Sequence, residues 1–352
     1  MAFRYQVSQP YLNGNELAYV TEAVSSGWIS SQGPYVARFE EEFARYNGMP
    51  HGVASSSGTA ALTIALRALG IGPGDEVIVP EFTMIASAWA VTYTGATPVF
   101  VDCRDDLNID PALIEERITP RTKAIMPVHV YGRRCDMDTI MGIAYEYNLR
   151  VVEDSAEAHG VLPVGDIACF SLFANKIISA GEGGVCVTKD ERLADQMRHL
   201  RSMAFTREHN FLHKKLAYTF RISNMQAAVA LGQVERLDEI LALRAKIEAR
   251  YDAGLAGVPG LTLMPPRDVL WMYDVRAERR EELRDFLAGE GIETRLFFKP
   301  MSRQPMYLDP GWPTLNANRV AEDGLYLPTY TGLKESEQDE IIDAVRSFYK
   351  AG

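Results

Sequence analysis

The chain has 352 residues, of which 47% are hydrophobic, and its formal net charge at pH 7 is −11. At roughly 150 residues per domain, this length predicts one large and one small domain, each with its own core. The acidic charge argues against a nucleic-acid partner, because phosphate contacts need a basic surface. Since no run approaches the ~18 apolar residues of a membrane span and the first residues carry no apolar signal region, we expect a cytoplasmic protein without a membrane partner.

Strands and helices alternate along the first 250 residues. Apolar runs predict strands at residues 51–54, 76–80, 97–101, 123–128, 149–153, 167–173 and 184–188. Helical patterns at residues 59–69, 110–118 and 136–147 separate most of them. This alternation predicts an α/β domain with a mostly parallel sheet.

The last third of the chain has a different pattern. Apolar residues at helical spacing predict one long helix over residues 224–251 that bridges two lobes. Beyond it we expect a smaller α+β unit, with strands at 271–276 and 293–298 and helices at 278–289 and 336–350. We therefore divide the chain into a large domain, residues 1–250, and a small domain, residues 251–352, with the Gly and Pro content rising near the junction.

Lys176 is the first candidate functional residue. It lies in the largely apolar segment 170–178 and is followed by Gly181-Glu182-Gly183-Gly184. An amine that loses water on folding has its charged form disfavoured and becomes available as a nucleophile. This is what a Schiff-base lysine requires, although a lysine that extends to solvent from a strand end would give the same pattern.

Asp154 is the second candidate. It ends an apolar run that predicts a buried parallel strand, which would deliver its carboxylate to the sheet edge where ligands of α/β proteins bind. There it could keep the ring nitrogen of pyridoxal phosphate protonated. The alternative is a helix cap, because Asp154 and Glu157 have the spacing of a capping box.

A third candidate is the small-residue string 55–62, which follows a predicted strand and opens a helical pattern. Backbone N–H groups and the dipole at a helix N-terminus favour an anion, so the string could form a phosphate-binding cup. An ordinary serine N-cap would have the same sequence.

The cysteines and histidines do not predict a metal site. The four cysteines, at positions 103, 135, 169 and 186, lack C-x-x-C spacing and indicate free thiols in a reducing compartment. His209 and His213 have helical spacing, but the Glu of an H-E-x-x-H motif is missing between them.

These segments together resemble a known family. The strings at 58–59, 153–160, 170–176, 181–184 and 221–228 have the order and spacing found in the pyridoxal-phosphate sugar aminotransferases of the DegT/DnrJ/EryC1/StrS family. The likeness runs from about Tyr11 to the C-terminus. It implies fold type I, with a mostly parallel, seven-stranded type of sheet in the large domain and a smaller C-terminal α+β domain.

The resemblance implies a role for each matched residue. Lys176 would bind the cofactor as a Schiff base and carry the proton between cofactor and substrate, and Asp154 would pair with the pyridinium nitrogen. Glu157, where most relatives carry Gln, would lie near the cofactor O3′. The string 28–31, which contains Ser30, and residues 293–295 resemble members that move the amino group of L-glutamate onto a GDP-linked 4-keto-6-deoxysugar.

The phosphate contacts follow from the same resemblance, with two departures. Gly58, Thr59 and Ser171 would hold the cofactor phosphate. Met84 stands where relatives stack an aromatic ring on the cofactor, and a thioether can still contact a π face. Thr219 stands where relatives place an Asn that reaches the cofactor phosphate of the partner subunit, since family members are dimers with shared active sites; a hydroxyl can donate such a bond.

The substrate side departs further. Asp268 and the segment 301–303 replace positions where His is usual, so the cofactor chemistry looks retained while the substrate shell looks altered. Candidate substrate residues are Ser30, His129, Tyr131 and Arg295. For His129 and Tyr131 a packed loop is an equal alternative, and Arg295 could instead form a salt bridge in the small domain.

The function we expect is therefore transamination of a nucleotide-linked keto-6-deoxysugar. The first candidate substrate is GDP-4-keto-6-deoxy-D-mannose. Alternatives are amination at C3, a dTDP- or UDP-linked sugar, and a non-catalytic regulatory protein of the same fold. A related dehydratase carries His at the lysine position, and Lys176 argues against it.

Overall fold

The computed structural model describes residues 3–205, 211–213, 215–308 and 316–350. These residues form a large unit around a seven-stranded sheet and a smaller unit around a four-stranded sheet. The helices are α1 (Glu16–Ser25), α2 (Pro34–Tyr46), α3 (Gly58–Ala68), α4 (Ile85–Thr94), α5 (Met137–Glu146), α6 (Glu191–Arg201), α7 (Asn224–Val234), α8 (Leu237–Leu255), α9 (Arg280–Gly289), α10 (Asn316–Asp323) and α11 (Glu335–Lys350). The strands are β1 (His51–Ser55), β2 (Glu76–Pro80), β3 (Thr97–Val101), β4 (Thr122–Ile125), β5 (Arg150–Asp154), β6 (Ile167–Ser171), β7 (Gly184–Thr188), β8 (Leu261–Leu263), β9 (Tyr273–Ala277), β10 (Arg295–Leu296) and β11 (Gly324–Leu327).

The large sheet has the strand order β1-β7-β6-β5-β4-β2-β3, and β7 runs antiparallel to both of its neighbours while the other pairs are parallel. Strands β2, β6 and β7 are buried along their whole length, which explains their continuous apolar sequence. Because β1, β5 and β6 point the same way, their carboxyl ends meet at one edge. That edge receives Asp154, Ser171 and the beginning of α3, as expected for the α/β fold that the sequence predicts.

The small sheet is wholly antiparallel, in the order β10-β11-β9-β8. Helices α8, α9 and α11 contribute apolar side chains to its core, among them Ile247, Leu283 and Ile341. The expectation of a smaller C-terminal α+β unit is therefore correct. The proposed boundary at residue 250 falls inside α8, which ends at Leu255.

Buried ion pairs join the two units. Arg133 of the large unit donates two hydrogen bonds, of 2.9 and 3.0 Å, to the carboxylate of Asp274 in β9, and Arg267 contacts the same carboxylate. Arg244 of α8 is fully buried and donates to the carbonyl of Trp271 at 2.9 Å. Removing one partner of such a cluster would leave an unpaired buried charge, which is costly. These contacts therefore hold the small unit at the edge of the large sheet.

Three predicted elements differ from the structure. Residues 110–118 form two consecutive 3₁₀ turns, Pro111–Leu113 and Glu115–Arg117, which meet at the buried Ile114, and no α-helix is present there. The long helix expected from residue 224 is two helices, since the backbone leaves helical geometry at Arg236 between α7 and α8. The strand expected at 293–298 is limited to the two residues of β10, because Phe297 and Phe298 leave the sheet and pack against other rings.

Candidate active site

A cavity of about 460 Å³ opens at the carboxyl edge of the large sheet, where the small unit closes over it. The large unit contributes the end of β5, the end of β6, the beginning of α3 and the loop after β6. The small unit contributes Trp271, Arg295 and Tyr326. Most of the residues that the sequence singles out thus line one cavity.

At one end of the cavity, the backbones of α3 and β6 lie close together. Gly58 begins α3 beside Ser171, the last residue of β6, and a Cβ added to Gly58 would lie 2.9 Å from the Ser171 Cβ. Ser57 caps the helix by accepting a hydrogen bond from the Ala60 N–H at 3.1 Å. The serine N-cap and the phosphate cup are therefore compatible, and Gly58, Thr59 and Ser171 surround a helix N-terminus that favours an anion.

Asp154 lies in the floor of the cavity with 4% of its surface exposed. Its Oδ2 accepts a hydrogen bond from Ser87 Oγ at 2.7 Å and its Oδ1 accepts one from the Ala156 N–H at 3.1 Å. Burial raises the pKa of Asp154, and these two bonds oppose that rise. Because the residues that follow form turns and no helix, Asp154 is not a helix cap, and its carboxylate remains available to a cationic ring nitrogen.

Lys176 reaches into the cavity instead of extending to solvent, since only 11% of its side chain is exposed. Its Nζ donates to Glu157 Oε1 at 3.4 Å and lies 4.1 Å from the centre of the Trp271 ring. Glu157 is held by a second contact, because its Oε2 accepts the Tyr131 N–H at 3.0 Å. Burial raises the pKa of Glu157 to about 7, and the charge of Lys176 opposes this rise.

Trp271 is a wall residue that the sequence did not reveal. Its indole N–H donates to the carbonyl of Asn175 at 2.8 Å, so the small unit contacts the residue next to Lys176 directly. An aromatic residue at the start of a predicted strand resembles any core residue, which is why Trp271 carries no signal in the sequence. Tyr326, whose ring lies 6.2 Å from that of Trp271, was also missed, because it lies in β11, where no strand was predicted.

Met84 and Arg295 also line the cavity, where Met84 is 48% exposed. The Arg295 guanidinium lies 3.3 Å from Glu293 Oε1, so it takes part in a salt bridge and also faces the cavity. The salt bridge in the small unit is thus present, and the contact of Arg295 with the substrate stays a prediction. Glu182 also lines the cavity, and its side chain is exposed.

Two substrate candidates lie away from the cavity. His129 and Tyr131 are completely buried, and His129 bonds to Glu153 at 2.9 Å and to the Cys135 N–H at 3.1 Å. The Tyr131 ring packs among Phe82, Trp271 and other aromatic rings. The expectation that these side chains contact a sugar is therefore not met, because they complete the core beneath the site.

Two further candidates are exposed outside the cavity. Ser30 lies in the loop before α2, where its carbonyl accepts the Asn224 N–H at 2.6 Å. Thr219 pairs with Ser202 in an isolated bridge and faces solvent. Neither residue reaches the cavity of its own chain.

Met301 and Ser302 are buried against the large unit, whereas Arg303 is exposed. Ser302 donates its N–H and its hydroxyl to Glu81, a carboxylate of the large unit that has no exposed surface. Asp268 accepts the Arg134 N–H at 2.7 Å. In both places, residues that replace a usual His make internal contacts.

No group of three His, Cys, Asp or Glu side chains that could hold a metal occurs among the described residues, and His209 lies outside them. Within the same part of the chain, no helix has both the length and the apolar character that crossing a bilayer requires.

The site can be compared with those of known proteins. Residues 10–346 match the DegT/DnrJ/EryC1/StrS aminotransferase family. The chain is 45% identical to a GDP-perosamine synthase from Caulobacter vibrioides over 97% of each chain, and 40% identical to a GDP-perosamine synthase from Escherichia coli O157:H7 over 97% of this chain and 98% of that protein.

Solved structures of other proteins have the same fold. The chain superimposes on S. venezuelae DesV in complex with a ketimine intermediate with a TM-score of 0.90 and 39% identity, covering 96% of this chain and 94% of that one. It also superimposes on Spr1654 from Streptococcus pneumoniae in its PLP form with a TM-score of 0.90 and 29% identity, covering 98% of each chain.

The residues present fit pyridoxal phosphate. The helix N-terminus that only a glycine allows beside Ser171 suits the phosphate, and the buried carboxylate of Asp154 and the amine of Lys176 face the same cavity. The expectations of this cofactor and of transaminase chemistry are thus confirmed. The chain belongs to the DegT/DnrJ/EryC1/StrS aminotransferase family and is a sugar aminotransferase that depends on pyridoxal phosphate.

Proposed function

We propose that this enzyme transfers the amino group of L-glutamate to GDP-4-keto-6-deoxy-D-mannose and so produces GDP-perosamine. The observation that carries the proposal is the 45% identity to a GDP-perosamine synthase over 97% of both chains. The cavity with Lys176 supports it, because a non-catalytic regulatory protein would have no need of the lysine. A dTDP-linked substrate is the second candidate, since a dTDP-3-amino-3,4,6-trideoxy-alpha-D-glucose transaminase from Streptomyces venezuelae is 40% identical over 90% of this chain.

The cofactor would be held by residues of the large unit. We assign its phosphate to the beginning of α3 with Gly58, Thr59 and Ser171, and its ring nitrogen to Asp154. Met84 would contact the face of the ring. When bound, pyridoxal phosphate supplies an electron sink for the carbon from which a proton is removed.

Lys176 would perform the proton transfers. Its amine holds the cofactor in the resting enzyme and, once free, accepts the proton of the amino donor at Nζ and later returns it to the other carbon. The apolar side chains around Lys176, which include Trp271 and Phe298, keep water away from the proton on Nζ. Glutamate enters the proposal through the family resemblance.

The sugar would occupy the side of the cavity formed by the small unit. Arg295 is the cationic residue on that wall, and its guanidinium has the donor geometry that suits a diphosphate or a sugar hydroxyl. Ser30 and Thr219 are exposed and remote from their own cavity, so we propose that they serve the site of a second copy in a homodimer. Exposed apolar side chains near them, Trp28 at 54% and Leu216 at 86% exposure, support such an interface.

Spectroscopy tests both half-reactions. Purified enzyme loaded with pyridoxal phosphate should lose its visible absorbance band on addition of L-glutamate and regain it on addition of GDP-4-keto-6-deoxy-D-mannose. A matched dTDP-linked 4-keto-6-deoxy sugar serves as the competing acceptor. If glutamate removes the band and only the dTDP sugar restores it, the nucleotide assignment is wrong; if glutamate leaves the band unchanged, the donor assignment is wrong.

A further inference from the structure

Glu157, which the family resemblance places near the cofactor O3′, also contacts Lys176 directly. Lys176 Nζ lies 3.4 Å from Glu157 Oε1, and both side chains are nearly out of solvent, with 11% and 4% of their surfaces exposed. Among the described residues, no other carboxylate forms an ion pair with Lys176. Nζ also lies over the face of Trp271, which attracts a cation but cannot accept a proton.

Glu157 is fixed in place from its other side. Its Oε2 accepts the Tyr131 N–H at 3.0 Å, and Tyr131 is locked by a buried aromatic cluster. The carboxylate therefore cannot swing away from Lys176 without leaving a buried N–H unpaired. Its position is set by the core, which gives the pair a defined geometry.

The charged and titratable groups around Glu157 come from four segments. Lys176 lies on the loop after β6, Asp154 at the end of β5, Tyr131 in the turn after β4, and Tyr326 on β11. Lys176 is the cation among them, Asp154 is a second carboxylate, and the two tyrosines remain neutral because burial raises the pKa of both well above the usual range. Lys176 is thus the cation that the Glu157 carboxylate faces.

We propose that Glu157 is a positioning residue for the mobile proton: its carboxylate stabilises the protonated form of the Lys176 nitrogen during turnover. The inference rests on the proposed function, in which Lys176 takes a proton from the donor carbon. In that step a C–H bond breaks, its electron pair is left on the donor carbon, for which the bound cofactor would supply the electron sink, and an N–H bond forms at Nζ. The new ammonium lies beside the Glu157 carboxylate, so no further reactant is needed.

The charge that Glu157 presents to Lys176 depends on pH. Glu157, with its pKa raised to about 7 by burial, is an anion above that pH and is neutral below it. The negative charge beside Lys176 is therefore present in the alkaline range and is lost as the pH falls. Amino transfer should decline below about pH 7 for this reason, in addition to any titration of the substrates.

Glu157→Gln is the decisive variant because its amide oxygen can still accept the Tyr131 N–H while the charge is removed. The measurement is the visible absorbance of the loaded enzyme as a function of pH, since this band follows the proton on the Lys176 nitrogen. We expect the midpoint of the titration to fall by at least about one pH unit, a tenfold loss of proton affinity. The acid limb of the pH profile of the glutamate half-reaction should also disappear.

Glu182→Gln is the matched control, because Glu182 lines the same cavity and has no ion pair with Lys176 among the described contacts. Its midpoint should equal that of the unaltered enzyme. Glu157→Asp keeps the charge at a greater distance and should give an intermediate midpoint, so it also provides the test if the Gln variant fails to fold. Midpoints of the Gln and Asp variants within about 0.3 units of the unaltered enzyme would overturn the proposal.

Failure of the inference can be told apart from failure of the proposed function. If the unaltered enzyme forms the band and responds to L-glutamate, but the titration midpoint of Glu157→Gln does not move, only the proposed role of Glu157 is wrong. If the unaltered enzyme forms the band but does not respond to any amino donor, the proposed function is wrong. The pH titration still reports on Glu157 in that case, because it needs no turnover.

Discussion

The two walls of the cavity differ in how they are built. The wall of the large unit consists of strand ends and a helix N-terminus, so that Gly58, Asp154 and Ser171 are delivered by backbone that cannot move independently. The wall of the small unit consists of single side chains, Trp271 and Arg295, that reach over from a separate sheet. We infer that the first wall sets the cofactor chemistry and the second sets the substrate, and this difference can be tested.

The largest effect is expected at Lys176. Lys176→Ala should lower the rate of amino transfer by roughly 10⁴-fold, because both the covalent attachment and the proton transfer are lost. Borohydride treatment followed by mass spectrometry should no longer attach the cofactor to the chain, while circular dichroism should show an unchanged fold. Retention of more than about a tenth of the rate would contradict the role of this lysine.

A smaller but still large effect is expected from Gly58→Ala on the same wall. The added Cβ would lie 2.9 Å from the Ser171 Cβ, so α3 or β6 must shift at a cost of about 2 kcal/mol, or roughly thirtyfold in cofactor affinity. Titration of the apoenzyme with pyridoxal phosphate measures this.

The control for that variant is Gly142→Ala in α5, where an added Cβ meets nothing within 4 Å. It should leave cofactor affinity unchanged and stabilise the protein by about 0.5–1 kcal/mol, since alanine restricts the unfolded chain. Equal cofactor affinity in the two variants would show that the close approach of α3 to β6 is not needed.

Arg295→Ala tests the opposite wall. We expect the KM for the nucleotide sugar to rise about tenfold, while the absorbance change with glutamate stays the same, because in the proposed function the guanidinium would bind the sugar substrate and not the cofactor. Arg284→Ala removes an exposed arginine of α9 that pairs with Asp285 and serves as the control. An unchanged KM would place Arg295 outside the sugar site.

The smallest effect is expected from Trp271→Phe, which keeps an aromatic face near Lys176 and loses the hydrogen bond to the Asn175 carbonyl. A loss of about 1 kcal/mol predicts a fivefold fall in kcat with cofactor affinity preserved. Trp89→Phe, on α4, should change neither constant. If Trp271→Phe instead weakened cofactor binding as much as Gly58→Ala, the proposed division between the two walls would not hold.

Much of the large unit was predictable because its elements are local. Strands β2, β3 and β7 occur at the predicted residues, since each is a largely apolar run that is visible in the sequence whether its neighbours are parallel, as for β2 and β3, or antiparallel, as for β7. Asp154 could be placed at the carboxyl edge of the sheet by strand direction alone, whereas Ser171 was assigned through the family resemblance. The helix predicted at 110–118 was wrong, because the segment forms two 3₁₀ turns that meet at the buried Ile114.

The substrate candidates were less predictable. His129 and Tyr131 follow a strand at the correct edge of the sheet, yet the side chains point into the core, where Glu153 and a set of aromatic rings receive them. Position along a strand tells which edge a residue occupies, but side-chain direction in a loop depends on the packing beneath it.

The cofactor side of this enzyme is visible in short sequence segments: an apolar strand that ends in Asp154, a glycine at the start of α3, and Lys176 in an apolar segment. These signals are local, because each depends on a few neighbouring residues. Two contacts appear only in the folded chain: Trp271, 96 residues after Asn175, bonds to the Asn175 carbonyl, and Glu157 pairs with Lys176. The first contact depends on how the small unit docks against the large sheet, and the second on how the loops after β5 and β6 meet at one edge of that sheet, and no short stretch of sequence encodes either arrangement.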